Sequence, residues 1–323
     1  MSHRVRRDVR FATRLAVCGI ALFWAQRVDA QTLDSAIAHA TAAEARGDFV
    51  AAARGYERIY GLTGFDPGPL AGAAVSAARG GVDSLALRYL RQAIREGYLN
   101  ARFLDFVERD SSLARMRRNT EWAAAVADGR RRLASIDTVL AAELVALAAS
   151  DQKNREGIGD IISRFGRASP QADSATRAMD AADAPLLARL RAIVAARGWP
   201  GRSLVGDDGA HAAWLILQHA PEDVQRAMLP TVQAAIQKGE GRLGDLALLE
   251  DRVAVASGMA QKYGSQIRSS PRGRGLPTLD PISDESCVDQ RRAAMGLEPL
   301  ADYMRRFSVT YVAPPERCSR GSK

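Results

Sequence analysis

Apolar residues recur along this chain at intervals of three and four, the period of helices buried on one face. Between residues 31 and 135 the pattern also repeats. Ala52-x3-Tyr56-x2-Ile59 returns thirty-four residues later as Ala86-x3-Leu90-x2-Ala93, and a fainter third copy falls at Thr120, Ala124 and Ala127. The turn ahead of each second helix is echoed as Gly47-Asp48 and Gly81-Val82. A small residue where two helices cross, then a larger one a turn later, lets stacked helix pairs approach closely.

The second half reads as longer helices. Ser135 and Asp137 predict the cap of a helix from about residue 138, with the stripe Leu140, Leu144, Leu147, Ile158 and Ile162. A polar linker over 169–174 precedes a helix over 176–197, stopped by Gly198-Trp199-Pro200. Asp207 and Asp208 predict the cap of a central apolar helix that runs through 211–219. Pro221 opens the next helix, and Pro230 is expected to kink or split it. A helix over 243–260 leads into an extended segment over 261–266. With residues 279–282 across a Gly/Pro-rich loop, that segment predicts a small β-hairpin. Short helices over 288–296 and 300–307 close the pattern. The expected fold is mainly α: a leader over 1–30, a repeat array over 31–135, a helical domain over 136–307 and a tail over 308–323.

Composition supports a folded chain. Of 323 residues, 47% are hydrophobic and 25% charged, ordinary globular values that exclude wholesale disorder. The net charge of +8 is half a property of the leader, whose six arginines face only Asp8 and Asp29. From residue 31 onward 39 basic residues meet 35 acidic ones, so no nucleic-acid-binding face is implied. Arg4, Arg6, Arg7 and Arg10 precede an apolar run over 15–25, and Val28-Asp29-Ala30 then predicts cleavage before Gln31, the pattern of an export signal. The run is too short to span a bilayer, and no membrane span is expected once it is removed. Cys18 follows Val17 inside the apolar run, a poor setting for lipid attachment. Export leaves Cys287 and Cys318, which either pair across about thirty residues, for about 3–4 kcal/mol in the chain-entropy model, or stand as separate thiols.

The candidate chemistry lies in the second half, where polar groups occupy helix faces that ought to be buried. Asp151 and Arg155 fall within the stripe begun by Leu140. His211, Trp214 and Gln218 share one face of the central helix, with His219 round the side. Asp251 sits between Leu248 and Val255, and its neighbour Arg252 must point to a different partner. Gln261 and Tyr263 follow. A charge in such a position must be paired or locally solvated. If these groups converge, His219 is the candidate acid or base, with His211 and Asp251 as its catalytic companions and Asp251 orienting it. Asp151, Arg155, Gln218, Arg252, Gln261 and Tyr263 are then the ligand-binding set. The competing reading is a closed polar network that fixes helix register. No metal is implied, because His211 and His219 are too far apart for one helix turn to share an ion. No Gly-x-Ser-x-Gly elbow or phosphate-cradling loop is present, and no cofactor is implied.

Two resemblances rest on these residues. The thirty-four-residue spacing resembles the tetratricopeptide repeat, although Ala40 and Ala43 stand where that family carries glycine and tyrosine. The segment over 110–116, with Trp122, is similar to the closing unit of such an array. The resemblance implies a concave surface for a peptide or partner protein, or else an array that only buttresses the second domain. Asp151-Gln152-x2-Arg155, Gly198-Trp199-Pro200, His211-x2-Trp214 with Gln218-His219, Asp251-Arg252-Val253 and Gln261-x-Tyr263-Gly264-x-Gln266, followed by Asp289, Arg291-Arg292 and Tyr303, together resemble an uncharacterised bacterial domain family over 138–303. Ser265 stands where threonine is expected. That family has no assigned function. The chain therefore reads as an exported binding protein with a polar pocket in its second domain, or as an exported hydrolase or transferase with a His/Asp/Arg site.

Overall fold

In a computed structural model the structure describes residues 30–62, 67–99, 101–268, 278–307, 309–312 and 314. The expected leader up to residue 29, the loop over 269–277 and Cys318 lie outside the described residues. The chain is mostly helical. Helices α1 (Ala30–Ala45), α2 (Phe49–Leu62), α3 (Gly68–Arg79) and α4 (Asp83–Arg95) pack each against the next. Helix α5 (Ala101–Arg109), a 3-10 turn (Ser111–Leu113), α6 (Ala114–Arg117) and α7 (Thr120–Ser135) complete this half.

The repeat pattern has a physical basis. Ala52, Ala86, Leu90 and Ala93 are fully buried and Ile59 nearly so. A side chain at Gly55 would come within 2.8 Å of the Ala40 Cβ, so α1 and α2 cross at a distance only small residues allow. Gly47 and Gly81 both take left-handed backbone (φ 77° and 80°) at equivalent turns, where a Cβ is strained. This half is thus a repeat-like helical array. The third copy differs from expectation: Thr120, Ala124 and Ala127 are exposed, while Trp122, Ala125, Val126 and Gly129 are buried. Helix α7 turns its aromatic face inward because it closes against α4 and α5.

The second half is built from α8 (Thr138–Lys153), α9 (Ile158–Phe165), α10 (Pro170–Arg197), α11 (Arg202–Gln218), α12 (Glu222–Gln237) and α13 (Leu243–Ala256). One apolar core, with Leu144, Leu190, Ala213, Leu217, Val232 and Leu249, joins α8, α10, α11, α12 and α13. Several boundaries depart from the sequence pattern. The stripe from Leu140 to Ile162 belongs to two helices, since α8 ends at Lys153 and Gly157 is left-handed (φ 77°). The expected linker over 169–174 is helical: Ser169 accepts from the Ala172 N–H at 3.1 Å and Pro170 fits the first turn. Pro230 does not split α12, which runs on to Gln237. Helix α11 breaks at Gly206 (φ 72°), and Asp207, expected as a cap, directs its carboxylate to Arg202 (2.7 Å) and Arg242 (2.5 Å) instead. Burial acts upward on the Asp207 pKa, yet Arg242 and Arg202 hold it below the usual carboxylate range.

After α13, the hairpin consists of β1 (Ile267–Arg268) and β2 (Thr278–Leu279), paired antiparallel with Ile267 opposite Leu279. The segment over 261–266 is a turn rather than the first strand, meeting its expected partner at a bridge from Gln261 to Ile282 and where Gln266 O accepts from the Asp280 N–H (3.3 Å). A 3-10 turn (Glu285–Cys287), α14 (Val288–Ala294) and α15 (Leu300–Arg305) then wrap a small core of Ile267, Val288, Leu300, Tyr303 and Met304. The array meets the second half where Gly97 lies against Asp207 and α7 packs on α11. No single described helix is long and apolar enough to cross a membrane.

Candidate functional site

The polar residues of the second half gather into separate groups. The first lies at the end of α8. His219 Nδ1 is 2.7 Å from Asp151 Oδ2, and the two side chains are 3% and 2% exposed. Asp151 also accepts from Gln152 (2.9 Å) and pairs with Arg155 Nη1 (2.9 Å). Arg155 reaches on to Asp183 of α10 at 2.6 Å, and Asn154 donates to the same carboxylate at 2.9 Å. Burial holds the His219 imidazole below its ordinary pKa of 6.5, against the upward pull of Asp151 and with help from Arg155 and Arg252. Neutral at pH 7, His219 donates through Nδ1–H to Asp151, which fixes the tautomer and leaves Nε2 as an acceptor. Nε2 has no hydrogen-bond partner among the described residues.

The second group is centred on α11 and α13. With its amide oxygen turned toward the guanidinium, Gln218 accepts from Arg252 Nη2 (2.8 Å) and Nε (3.1 Å). Arg252 Nη1 donates to the Gln218 carbonyl at 3.0 Å, as does Gln225 Nε2 at 2.8 Å. His211 belongs to neither group. Its ring stacks on Trp214, its Nδ1 is 2.9 Å from Asp245, and Trp214 Nε1 donates to the Asp245 carbonyl at 2.9 Å.

Asp251 faces the other way. It was expected to orient His219, a place Asp151 takes. Asp251 instead accepts from the backbone N–H groups of Lys262 (2.6 Å), Tyr263 (3.0 Å) and Ser265 (2.9 Å). Adjacent residues on α13 diverge, so Arg252 runs to α11 while Asp251 holds the turn beyond the helix. Gly264 makes that turn possible: its φ is 71°, and any Cβ would come within 2.8 Å of Leu300. Burial pushes the Asp251 carboxyl up while the backbone donors pull it down.

The same turn is gripped from its other side. Gln261 donates to the carbonyls of Gln266 (3.0 Å) and Asp280 (2.8 Å) and accepts from the Gln266 N–H (2.7 Å). Arg292, 1% exposed, donates to the carbonyls of Tyr263 (2.6 Å) and Glu298 (2.6 Å) and lies 4.9 Å from the Tyr303 ring. Tyr303 donates to the Ser265 carbonyl (3.2 Å), and burial raises its phenol to about 12. The Tyr263 hydroxyl points outward toward Glu250 (3.4 Å).

These groups sit inside the span matched by one family model, residues 138–313, more than half of the chain. The chain belongs to the DUF6624 family. That family is described as one of unknown function. Neither the curated proteins nor the solved structures contain a match to the chain. The DUF6624 region thus brings Asp151, Arg155 and His219 together, and separately Gln218 with Arg252 and Asp251 with Gln261 and Tyr263. Asp183, Asp245, Gln225 and Arg292 are equal members of these groups that were not among the expected site residues. Two of them were readable. Asp183 lies four and seven residues before Leu187 and Leu190, and Gln225 lies seven and eleven before Val232 and Ile236, so each is a polar residue on an apolar stripe. No three His, Cys, Asp or Glu side chains among the described residues are arranged to hold a metal ion. Cys287 is disulfide-bonded.

Proposed function

We propose that this protein is exported and works as a binding protein, in which a tetratricopeptide-like array and the DUF6624 domain present surfaces to a partner or small ligand. One observation carries the reading: nearly all the polar atoms of the motif residues are already engaged inside the protein. Asp251, Gln261, Arg292 and Tyr303 hold a turn, and Gln218 with Arg252 ties α11 to α13. Groups so engaged are not free to take a substrate. Export is supported by the arginine-rich start and apolar run before Gln31, and by a bonded Cys287, which suits an oxidising compartment. The tetratricopeptide-like reading rests on the thirty-four-residue spacing and the paired left-handed glycines at 47 and 81.

The sign of a stability change tests this. Residues kept for chemistry tend to cost stability, and their replacement tends to raise it. His219→Gln and Asp151→Asn are expected to lower the melting temperature; a rise in either would move His219 from scaffold to chemistry. A second reading, an exported hydrolase or transferase, is favoured by one atom. Nε2 of His219 is a neutral base whose opposite nitrogen is held by a carboxylate, the arrangement general-base catalysis uses. Under that reading His219→Gln removes turnover while leaving the melting temperature unchanged or higher.

A further inference from the structure

A helix stacked between two others keeps one face for solvent or for a partner. Helix α3, which packs between α2 and α4, keeps none. Eight of its twelve residues, all between Leu70 and Ala78, are at most 8% exposed. At about 100° per residue they run all round the helix, and Gly72, the gap among them, lies under the Tyr56 ring. The face that α2 and α4 leave is covered by the chain itself, where the 3-10 turn and α6 lie across it. Leu113 (0% exposed) and Met116 (1%) enter the same core as Ala73, Ala74 and Ala77. Arg115 crosses the end of α3, donating to the Ala78 carbonyl (3.0 Å) and pairing with Asp83 at the start of α4. Arg79 reaches back from α3: its Nε donates to Ser112 Oγ (3.1 Å) and its Nη1 pairs with Glu44 of α1 (3.2 Å). Asp110 opens the turn by accepting from the Ser112 N–H (3.0 Å). Two apolar anchors three residues apart, flanked by arginines, are the make-up of a short helical ligand laid in a groove.

We propose that residues 110–117 are a resident ligand of the array, filling along α3 the surface that a helical array offers to a partner and closing it to outside segments. A tethered occupant acts at an effective concentration of about 1 mM or more. An outside segment that fits equally well, present at about 1 µM, then holds about one array in a thousand. The α3 face is therefore a closed mount. The ligand of the binding-protein reading is left to the DUF6624 domain or to the outer faces of α2 and α4. The proposal deepens that reading, on which it rests, by removing one surface from it.

The test is hydrogen exchange and peptide titration on the full chain. In the wild type the amides of 113–118 and of 73–79 are expected to exchange within ten-fold of one another, as one unit. Exchange of 113–118 more than ten-fold faster would show a loose strap over an open face and overturn the proposal. Leu113→Ala combined with Met116→Ala should speed exchange at 73–79 at least ten-fold and leave α12 unchanged; protection at 73–79 that ignores the double variant would also overturn it. A synthetic peptide spanning residues 108–119 should bind the double variant at least ten-fold more tightly than the wild type. Equal binding to both, or binding to neither, would end the ligand assignment. If the double variant does not fold, Arg115→Gln, which removes only the latch to Ala78 and Asp83, replaces it: exchange at 113–118 should rise at least three-fold, and no rise counts against the proposal. The two claims fail separately. A loose 113–118 segment removes the closure and leaves the binding-protein reading standing, whereas a rise in melting temperature on His219→Gln removes that reading and leaves the closure intact.

Discussion

The two halves of this chain are held together by different physics. In the array, buried positions are filled by alanine, leucine and a few aromatics, and ion pairs lie at the surface, as between Asp128 and Arg131 or Arg132, where the side chains are 39–71% exposed. In the DUF6624 domain, charges and amides are placed inside: Asp151, Arg155, Asp251, Arg252 and Arg292 are each at most 6% exposed. A core of alanines tolerates surface charge changes. A core containing charges depends on every partner being present, because a lone buried charge costs far more than its pair contributes. The array therefore behaves as a scaffold built by packing, and the domain as one built by hydrogen-bond completion.

That contrast can be broken most forcefully at Asp251. Asp251→Ala leaves three buried backbone N–H groups without their acceptor, and should destabilise the domain by about 3–5 kcal/mol in urea unfolding. A loss near that of a surface site would mean the turn over 261–266 holds itself. A second effect comes from pH. His219 has a folded pKa below 6.5, so below that pH the unfolded chain binds a proton the folded chain resists. Stability is then fully present above pH 6.5 and falls as the pH drops through the folded value. Melting temperatures between pH 7 and 5 should decline more steeply in the wild type than in His219→Gln; equal slopes would show that the histidine is not the group responsible. The smallest change is expected in the array. Asp128→Ala removes exposed pairs with Arg131 and Arg132 and should alter stability by less than about 1 kcal/mol; a larger loss would place the array among ion-dependent folds and dissolve the comparison.

How much of this was legible in the sequence follows from the range of the interactions. Helix periodicity is local, so α2, α4, α8 and α13 stand out from apolar spacing alone, and the Asp151–Arg155 pair is visible because four residues make one turn. The oddity of His219 and Asp251 was visible too, as polar residues on apolar faces. Their partners were not. Asp151 is 68 residues from His219, and nothing local distinguishes it from Asp251 as the carboxylate that meets the ring. Asp251 bonds to backbone N–H groups, which every non-proline residue carries, so its role leaves no mark in composition. The Gln261–Gln266 segment reads as extended because it follows Gly258 and leads into a Gly/Pro-rich loop, with Tyr263 suited to a strand, yet Gly264 and the carboxylate of Asp251 bend it into a turn.

The central claim is that buried polar groups of the DUF6624 domain hold structure together. Hydrogen exchange across the full chain in Asp251→Asn, read against the wild type, tests it most directly. Protection should be lost at the amides of residues 262–265 and in α14, with the array over 68–95 unchanged. Retention of protection at 262–265 would contradict the account.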